Sequence, residues 1–369
     1  MTTPEAAFRA EFPVLDRVAY LNAGTDGPVP RRGAEAAEAR TRREVEAGRS
    51  GPAHSEELTT LRDGLRGHAA RLMGCDEDEV ALTHATTDGI NIVLAGLDLG
   101  AGDEVLTSDE EHPGLLAPLA ALVRRRGIRV RTAPFDALAE AVGPDTRLVA
   151  CSHVSWASGR VVDAAGLDSR GVPVLLDGAQ GLGAIPTDVR ALGCDFYAAS
   201  GQKWLCGPDG SGYLYVRRER IDDVACPWPN YSSLSEPARA ADLVYHPQAR
   251  RFDLGVVPGP PAAWALAAFE LLEETGWAWL HERAASLAAR LAEALTARGV
   301  RVVARGRSTL VSWEDPGAEA AVEALRADGF VLRSLPGGAR LRASVGAWNS
   351  EAELDALADH VAGRLPAAA

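Results

Sequence analysis

Short apolar runs alternate with helical patterns through the first two thirds of this chain, and no other feature restricts its fold as much. Residues 79–83, 104–107, 128–132, 148–153, 172–177 and 196–200 read as short buried strands. Ala-, Leu- and Arg-rich stretches of helical spacing lie between several of them, as at 114–126. Buried strands separated by helices assemble into a largely parallel sheet, so the expected class is α/β. Residues 213–216 follow a Gly-Pro-Asp-Gly turn at 207–210 and are expected to return antiparallel.

From about Pro260 the texture changes. Residues 262–275 and 280–298 are helical by periodicity. Residues 301–304, 308–313 and 341–344 read as strands of a small α+β unit, closed by a helix at 351–365. The stretch 226–259 is rich in Pro, Ser and aromatic residues and has little periodicity. It reads as a long functional loop or domain connection.

Bulk properties exclude several functions. The chain has 369 residues, 47% hydrophobic and 24% charged, as in soluble globular proteins. A net charge of −13 argues against a nucleic-acid surface. The arginine runs at 124–126 and 217–218 are short and read as solvated. No run of about 18 apolar residues indicates a membrane span. The opening MTTPEAAFRAEFPVL lacks a basic segment followed by an apolar one, so a cytoplasmic protein is expected. The five cysteines, at 75, 151, 194, 206 and 226, show no CxxC spacing and read as reduced, mostly packed thiols.

One residue type stands out against this background. The 38 basic residues comprise 37 arginines and one lysine, Lys203. Arginine stays protonated and does not act as an amine nucleophile. Lysine does, once its pKa is lowered, and it forms a Schiff base with a carbonyl. Lys203 lies just past the strand ending at Ser200, and another strand ends in Asp177. Ligands of open α/β sheets bind beyond such strand ends. A carboxylate on one strand end and an isolated lysine past another suit pyridoxal phosphate (PLP), with the acid keeping the ring nitrogen protonated. Thr86-Thr87-Asp88-Gly89 opens a helix and offers phosphate donors, joined by Ser200 and Gln202. Alone, the two threonines would be indistinguishable from an ordinary helix cap.

The segments YLNAGTDGPVP (20–30), THATTDGIN (83–91), EEHPGLLAP (110–118), SHVSWASG (152–159), VLLDGAQ (174–180) and SGQKWLCGPDGSGYLYV (200–216) follow one another in a familiar order. Together they resemble the class V aminotransferase family of fold-type I PLP enzymes. The likeness is nearest to the cysteine/cystine carbon–sulfur lyase and isopenicillin-N-epimerase-like branches. It implies a large domain with a mostly parallel seven-stranded sheet (20–259), a small α+β C-terminal domain (260–369) and an N-terminal segment (1–19) packed on the latter. A homodimer acting on a small amino-acid substrate is implied as well.

The resemblance also assigns roles. It makes Lys203 the Schiff-base lysine and Asp177 the partner of the pyridine nitrogen. His112 would stack on the ring and Gln180 would meet the ring hydroxyl. Thr86, Thr87, Ser200 and Gln202 would hold the phosphate. Within RLRAS (340–344), Arg342 would grip the substrate carboxylate, with Arg333 a second substrate contact. His153 is expected to support a strand end, and Cys206 to be a packed thiol.

Three departures narrow the reading. The loop at 333–339, where desulfurases carry a persulfide-forming cysteine, has none. Trp156 stands where desulfurases commonly have Asn, as in the lyase branch, and lies toward the substrate. Val256 stands where many relatives place a threonine on the partner subunit's phosphate. Catalysis through an external aldimine and quinonoid is therefore expected, with carbon–sulfur β-elimination from a cysteine derivative preferred. Transamination or epimerisation of a specialised-metabolite amino acid is the alternative, and desulfurase action comes behind both.

Overall fold

Two apolar cores on opposite faces of one sheet organise most of the molecule. The computed structural model describes residues 3–255 and 257–364. Val256 therefore lies outside the described residues, as does Leu365, the expected end of the last helix. Twelve strands run in chain order: β1 (Ala19–Tyr20), β2 (Val80–Thr83), β3 (Glu104–Ser108), β4 (Arg129–Ala133), β5 (Thr146–Ser152), β6 (Val174–Asp177), β7 (Phe196–Ser200), β8 (Gly212–Val216), β9 (Leu310–Glu314), β10 (Phe330–Val331), β11 (Arg333–Ser334) and β12 (Arg340–Ser344).

Seven of them form the main sheet, in the order β2-β8-β7-β6-β5-β3-β4. Only β8 runs against its neighbours, β2 and β7. The other pairings are parallel. Successive residues of a strand point to opposite faces, and here both faces are apolar. On β6, Val174 and Leu176 enter one core while Leu175 enters the other. On β7, Tyr197 and Ala199 divide from Phe196 and Ala198 in the same way. Such strands read as continuous hydrophobic runs, which is why the sequence marks them plainly.

The C-terminal region builds a three-stranded antiparallel sheet, β11-β12-β9. It shares a third core with the helices Trp277–Ala297 and Glu351–Ala362. The N-terminal chain joins this region, with β1 parallel to β10 and Ala19 and Leu21 in the same core.

The structure corrects several local expectations. Residues 301–304 are not a strand; a single bridge links Val302 to Trp313. Two long helices, Arg31–Ala47 and Gly51–Met73, carry no expectation from the sequence. In Arg31–Ala47 only Gly33 and Arg40 are buried, and Gly51–Met73 is buried only from Leu65 onward. As its aperiodic sequence suggested, the described part of 226–258 is irregular chain with short 3-10 turns, and a helix opens at Gly259. Among the described residues no helix is long and apolar enough to cross a membrane.

Candidate active site

The carboxyl ends of the parallel strands converge on one cleft of about 280 Å³. β6 delivers Asp177 as its last residue, and β7 ends at Ser200, three residues before Lys203. The chain leaving β3 carries His112, and the chain leaving β5 carries Trp156. β2 runs into the helix Thr86–Gly96. β11 and β12 add Arg333 and Arg342 from the opposite side. All eleven site residues expected from the sequence line this cleft: Thr86, Thr87, His112, Trp156, Asp177, Gln180, Ser200, Gln202, Lys203, Arg333 and Arg342.

Lys203 and Asp177 line the same cleft, largely withdrawn from solvent. Asp177 is buried, and its Oδ1 accepts the Ala179 N–H at 2.9 Å. Burial raises its pKa, while the Lys203 charge lowers it. Burial drives the Lys203 pKa down to about 8, opposed by Asp177 and assisted by Arg342. A free amine is therefore accessible near neutral pH.

His112 has a geometry that its sequence position did not disclose. It is the N-cap of the helix Pro113–Arg126, and its Nδ1 accepts the Gly114 N–H at 3.0 Å. That bond leaves the proton on Nε2. Burial, then Lys203, Arg342 and Arg333, push its pKa down to about 4, so the ring is neutral. The indole of Trp156 meets it edge-on, with centroids 4.9 Å apart.

The helix Thr86–Gly96 begins without a cap. Ala85 occupies the N-cap position and has no side-chain acceptor. The first N–H groups of a helix lack intrahelical partners, and together with the helix dipole they favour an anion. Thr86 Oγ1, Ser200 Oγ and Gln202 Oε1 are buried here without hydrogen-bond partners among the described residues. Asp177 offers a negative charge to a cationic ring nitrogen, and the two free hydroxyls with the open helix start offer a phosphate seat, which Gln202 joins only through its amide N–H groups because Oε1 is an acceptor. The residues present thus fit PLP.

Arg342 is 1% exposed. Its Nη1 donates to the Trp156 carbonyl at 2.9 Å, while Nε and Nη2 have no partner among the described residues. A buried guanidinium with one open edge is shaped for a carboxylate. Burial lowers its pKa to about 9, and Arg333 adds to the effect. Gly24 makes this approach possible, because a Cβ there would lie 2.8 Å from Arg342 Nη2 and 2.7 Å from Ser344 Oγ. Gln180 is largely committed: it accepts from Trp204 Nε1 at 3.1 Å and donates to the Gly24 carbonyl at 2.8 Å. Arg333 donates to Thr25 Oγ1 at 3.2 Å.

Residues outside the expected set also take part. Asp26 and Thr25 line the cleft. Behind it, Glu111 is buried and accepts hydrogen bonds from Ser108 Oγ, from Ser152 N at 3.0 Å and from Ser152 Oγ at 2.6 Å. Its pKa rises to about 7, through burial first and with Asp177 adding to it. A carboxylate directly before His112 was the available sequence signal for it. His153 is buried against the Tyr197 hydroxyl at 3.0 Å, away from the cleft lining. None of the five cysteines lines the cleft, and burial raises the Cys206 thiol pKa. A larger, open groove of about 540 Å³, beside Trp277 and His281, gathers no comparable set of free donors.

The chain has clear relatives. The family model for class-V aminotransferases matches residues 20–357. A cysteine desulfurase of Klebsiella pneumoniae (strain 342) is 35% identical over 258 residues, 63% of each chain. Isopenicillin N epimerase of Streptomyces clavuligerus is 33% identical over 228 residues, 56% of this chain and 55% of its own. The chain thus spans less than two thirds of the length of these curated relatives. Two solved structures of C-DES cover more. One, with glycine covalently linked to its PLP cofactor, has a TM-score of 0.91 at 30% identity, over 96% of this chain and 98% of that one. The other shows C-DES as a cystine C–S lyase with its product cysteine persulfide, at a TM-score of 0.90 and 30% identity, over 95% and 99%. With its topology, its cleft and these likenesses in agreement, the chain belongs to the class-V aminotransferases, a family of fold-type I PLP enzymes.

Proposed function

We propose that this chain is a PLP enzyme that eliminates the sulfur substituent from a cysteine derivative. One observation carries the reading. A half-buried lysine with its pKa lowered to about 8 shares a cleft with a buried carboxylate, two unpartnered buried hydroxyls at an open helix start and an arginine with a free edge, and no thiol lines that cleft.

When bound, PLP supplies an aldehyde carbon that condenses with amines and a ring that accepts the electron pair released at the substrate α-carbon. Thr86, Thr87, Ser200, Gln202 and the start of the helix Thr86–Gly96 hold its phosphate. Asp177 keeps the ring nitrogen cationic, and His112 and Gln180 bound the ring. Arg342 fixes the α-carboxylate through Nε and Nη2. Lys203 Nζ, whose lowered pKa of about 8 leaves a free-amine fraction near neutral pH, takes the α-proton. Neutral His112 adds no positive charge to compete with that transfer. In a cysteine derivative the Cβ–S bond then breaks and the sulfur departs with the bonding pair. The resulting three-carbon fragment hydrolyses to pyruvate and ammonia. Sulfur leaves on a small molecule, so no enzyme thiol is needed. We further propose a homodimer, as in the sequence-based expectation.

Similarity to isopenicillin N epimerase supports a second reading, in which the α-carbon is reprotonated from the opposite face. Product analysis on a panel of cysteine conjugates, with and without a keto acid, separates the two. Pyruvate formation without keto acid supports elimination. Inversion at the α-carbon with no pyruvate supports the alternative.

A further inference from the structure

The chain leaving β5 folds into a compact turn that is tied down on two sides. Ser155 N donates to the Arg160 carbonyl at 2.8 Å, and Gly159 N donates to the Ser155 carbonyl at 2.9 Å. On one side the Gly159 carbonyl accepts from Ser308 Oγ at 2.6 Å and from Gly306 N at 3.1 Å, both in the chain before β9. On the other, Oε2 of Glu110 accepts from Ser155 Oγ and from Ser158 Oγ. Both serines are fully buried. A hydroxyl has one proton to give, so donation to Glu110 leaves its lone pairs for the backbone. Ser155 Oγ accepts from Ala157 N at 3.2 Å and from Ser158 N at 3.1 Å, and Ser158 Oγ accepts from Arg160 N at 3.2 Å. Arg160 is not the main partner of Glu110, because it lies 3.7 Å from Oε1 and 3.0 Å from Asp136.

This turn carries Trp156 to the cleft. The Trp156 carbonyl accepts from Arg342 Nη1 at 2.9 Å, the one hydrogen bond of that guanidinium among the described residues. The bond decides which edge of Arg342 stays open. Glu110 itself does not line the cleft.

We propose that Glu110 is a positioning residue for substrate binding. By holding the two serines it sets the Trp156 carbonyl, and the carbonyl aims Nε and Nη2 of Arg342 at the substrate carboxylate. This inference rests on the reading of Arg342 as the carboxylate site.

Two reagents isolate the carboxylate. Aminooxyacetate carries one, and O-methylhydroxylamine does not. Both condense with the cofactor's aldehyde carbon in place of Lys203, and the loss of the holoenzyme's visible absorbance band gives each rate constant. The ratio of the two rates is compared between proteins, so their intrinsic reactivities cancel. Arg342→Ala is expected to lower the ratio. Glu110→Ala is expected to lower it about fivefold, the scale of one intramolecular hydrogen bond, with the O-methylhydroxylamine rate unchanged. Ser155→Ala, which removes the other end of the tie, is expected to act in the same direction. Glu110→Gln keeps an acceptor oxygen and is expected to retain most of the ratio. Added to Arg342→Ala, Glu110→Ala is expected to have no further effect. A lowered ratio in Arg342→Ala with none in Glu110→Ala or Ser155→Ala overturns the role of Glu110 alone. So does an equal slowing of both reagents, which marks a general structural role, or a loss in Glu110→Gln as large as in Glu110→Ala, which places the effect in the charge. An unchanged ratio in Arg342→Ala overturns the reading of Arg342, and the role of Glu110 falls with it.

Discussion

A single lysine makes the chemistry testable at the scale of one residue. Lys203 is the only side-chain amine in the chain, and burial lowers its pKa to about 8. Acylation of the cofactor-free protein, mapped by peptide mass, is expected to label Lys203 with a midpoint near pH 8. A midpoint near the ordinary lysine value would contradict the buried environment. Asp177 gives a second test. Its interaction strengthens as charge develops on the ring, so Asp177→Asn should lower turnover about a hundredfold or more, with a much smaller change in substrate affinity. Near-normal turnover in that variant would remove Asp177 from the mechanism. At Arg342, Lys keeps the charge but loses the fork, so Arg342→Lys should weaken amino-acid binding while PLP stays bound. These residues were legible because chemistry restricts their type: one lysine among 37 arginines, and an acid ending an apolar strand. Glu110 and Glu111 were not, because a carboxylate is common on any surface and only its burial or its partners distinguish it.

At the scale of elements, the helix Thr86–Gly96 has a weak cap for a reason. Ala85 leaves the first N–H groups open. An Ala85→Asp substitution should cap them and stabilise the cofactor-free protein by about 1 kcal/mol, while placing a negative charge at the phosphate seat. We expect a higher Tm without PLP and weaker PLP binding, read by thermal melts and cofactor titration. Unchanged PLP affinity would place the phosphate elsewhere. The inner strands of the main sheet were readable because both faces are buried, which leaves few polar residues in them; the edge strand β4, with Arg129, Arg131 and Thr132, is the exception. The helices Arg31–Ala47 and Gly51–Met73 escaped because the first is almost wholly polar and buries only Gly33 and Arg40, and the second is buried only from Leu65 onward. The expected strand at 301–304 failed for a different reason. Its apolar residues meet β9 at one bridge and make no ladder. The short strands β10 and β11 are two residues each, too brief for any pattern to register.

At the scale of the whole molecule, buried titratable groups set the response to acid. His112, His153 and His281 have pKa values lowered to about 4, chiefly by burial. Between about pH 4 and 6.5 the unfolded chain holds protons on these histidines that the folded chain does not, so their contribution to stability grows as pH rises. Glu111, raised to about 7, acts in the opposite sense and loses its contribution as pH rises from about 4.5 to 7. His112 is the most exposed of the three and weighs least, and Asp177, also raised by burial, sides with Glu111. The histidines together still outweigh the two carboxyls, so the urea midpoint of the cofactor-free protein should be higher at pH 7 than at pH 5. The reverse order would show that the histidines are not held neutral. The central claim is that this molecule breaks a carbon–sulfur bond without an enzyme thiol, and the fate of the three-carbon fragment tests it most directly. Holoenzyme given cystine, with no keto acid, is expected to release pyruvate and ammonia in equal amounts, with the sulfur on a small-molecule persulfide. Alanine as the product, with persulfide sulfur trapped on one of the five cysteines, would contradict it.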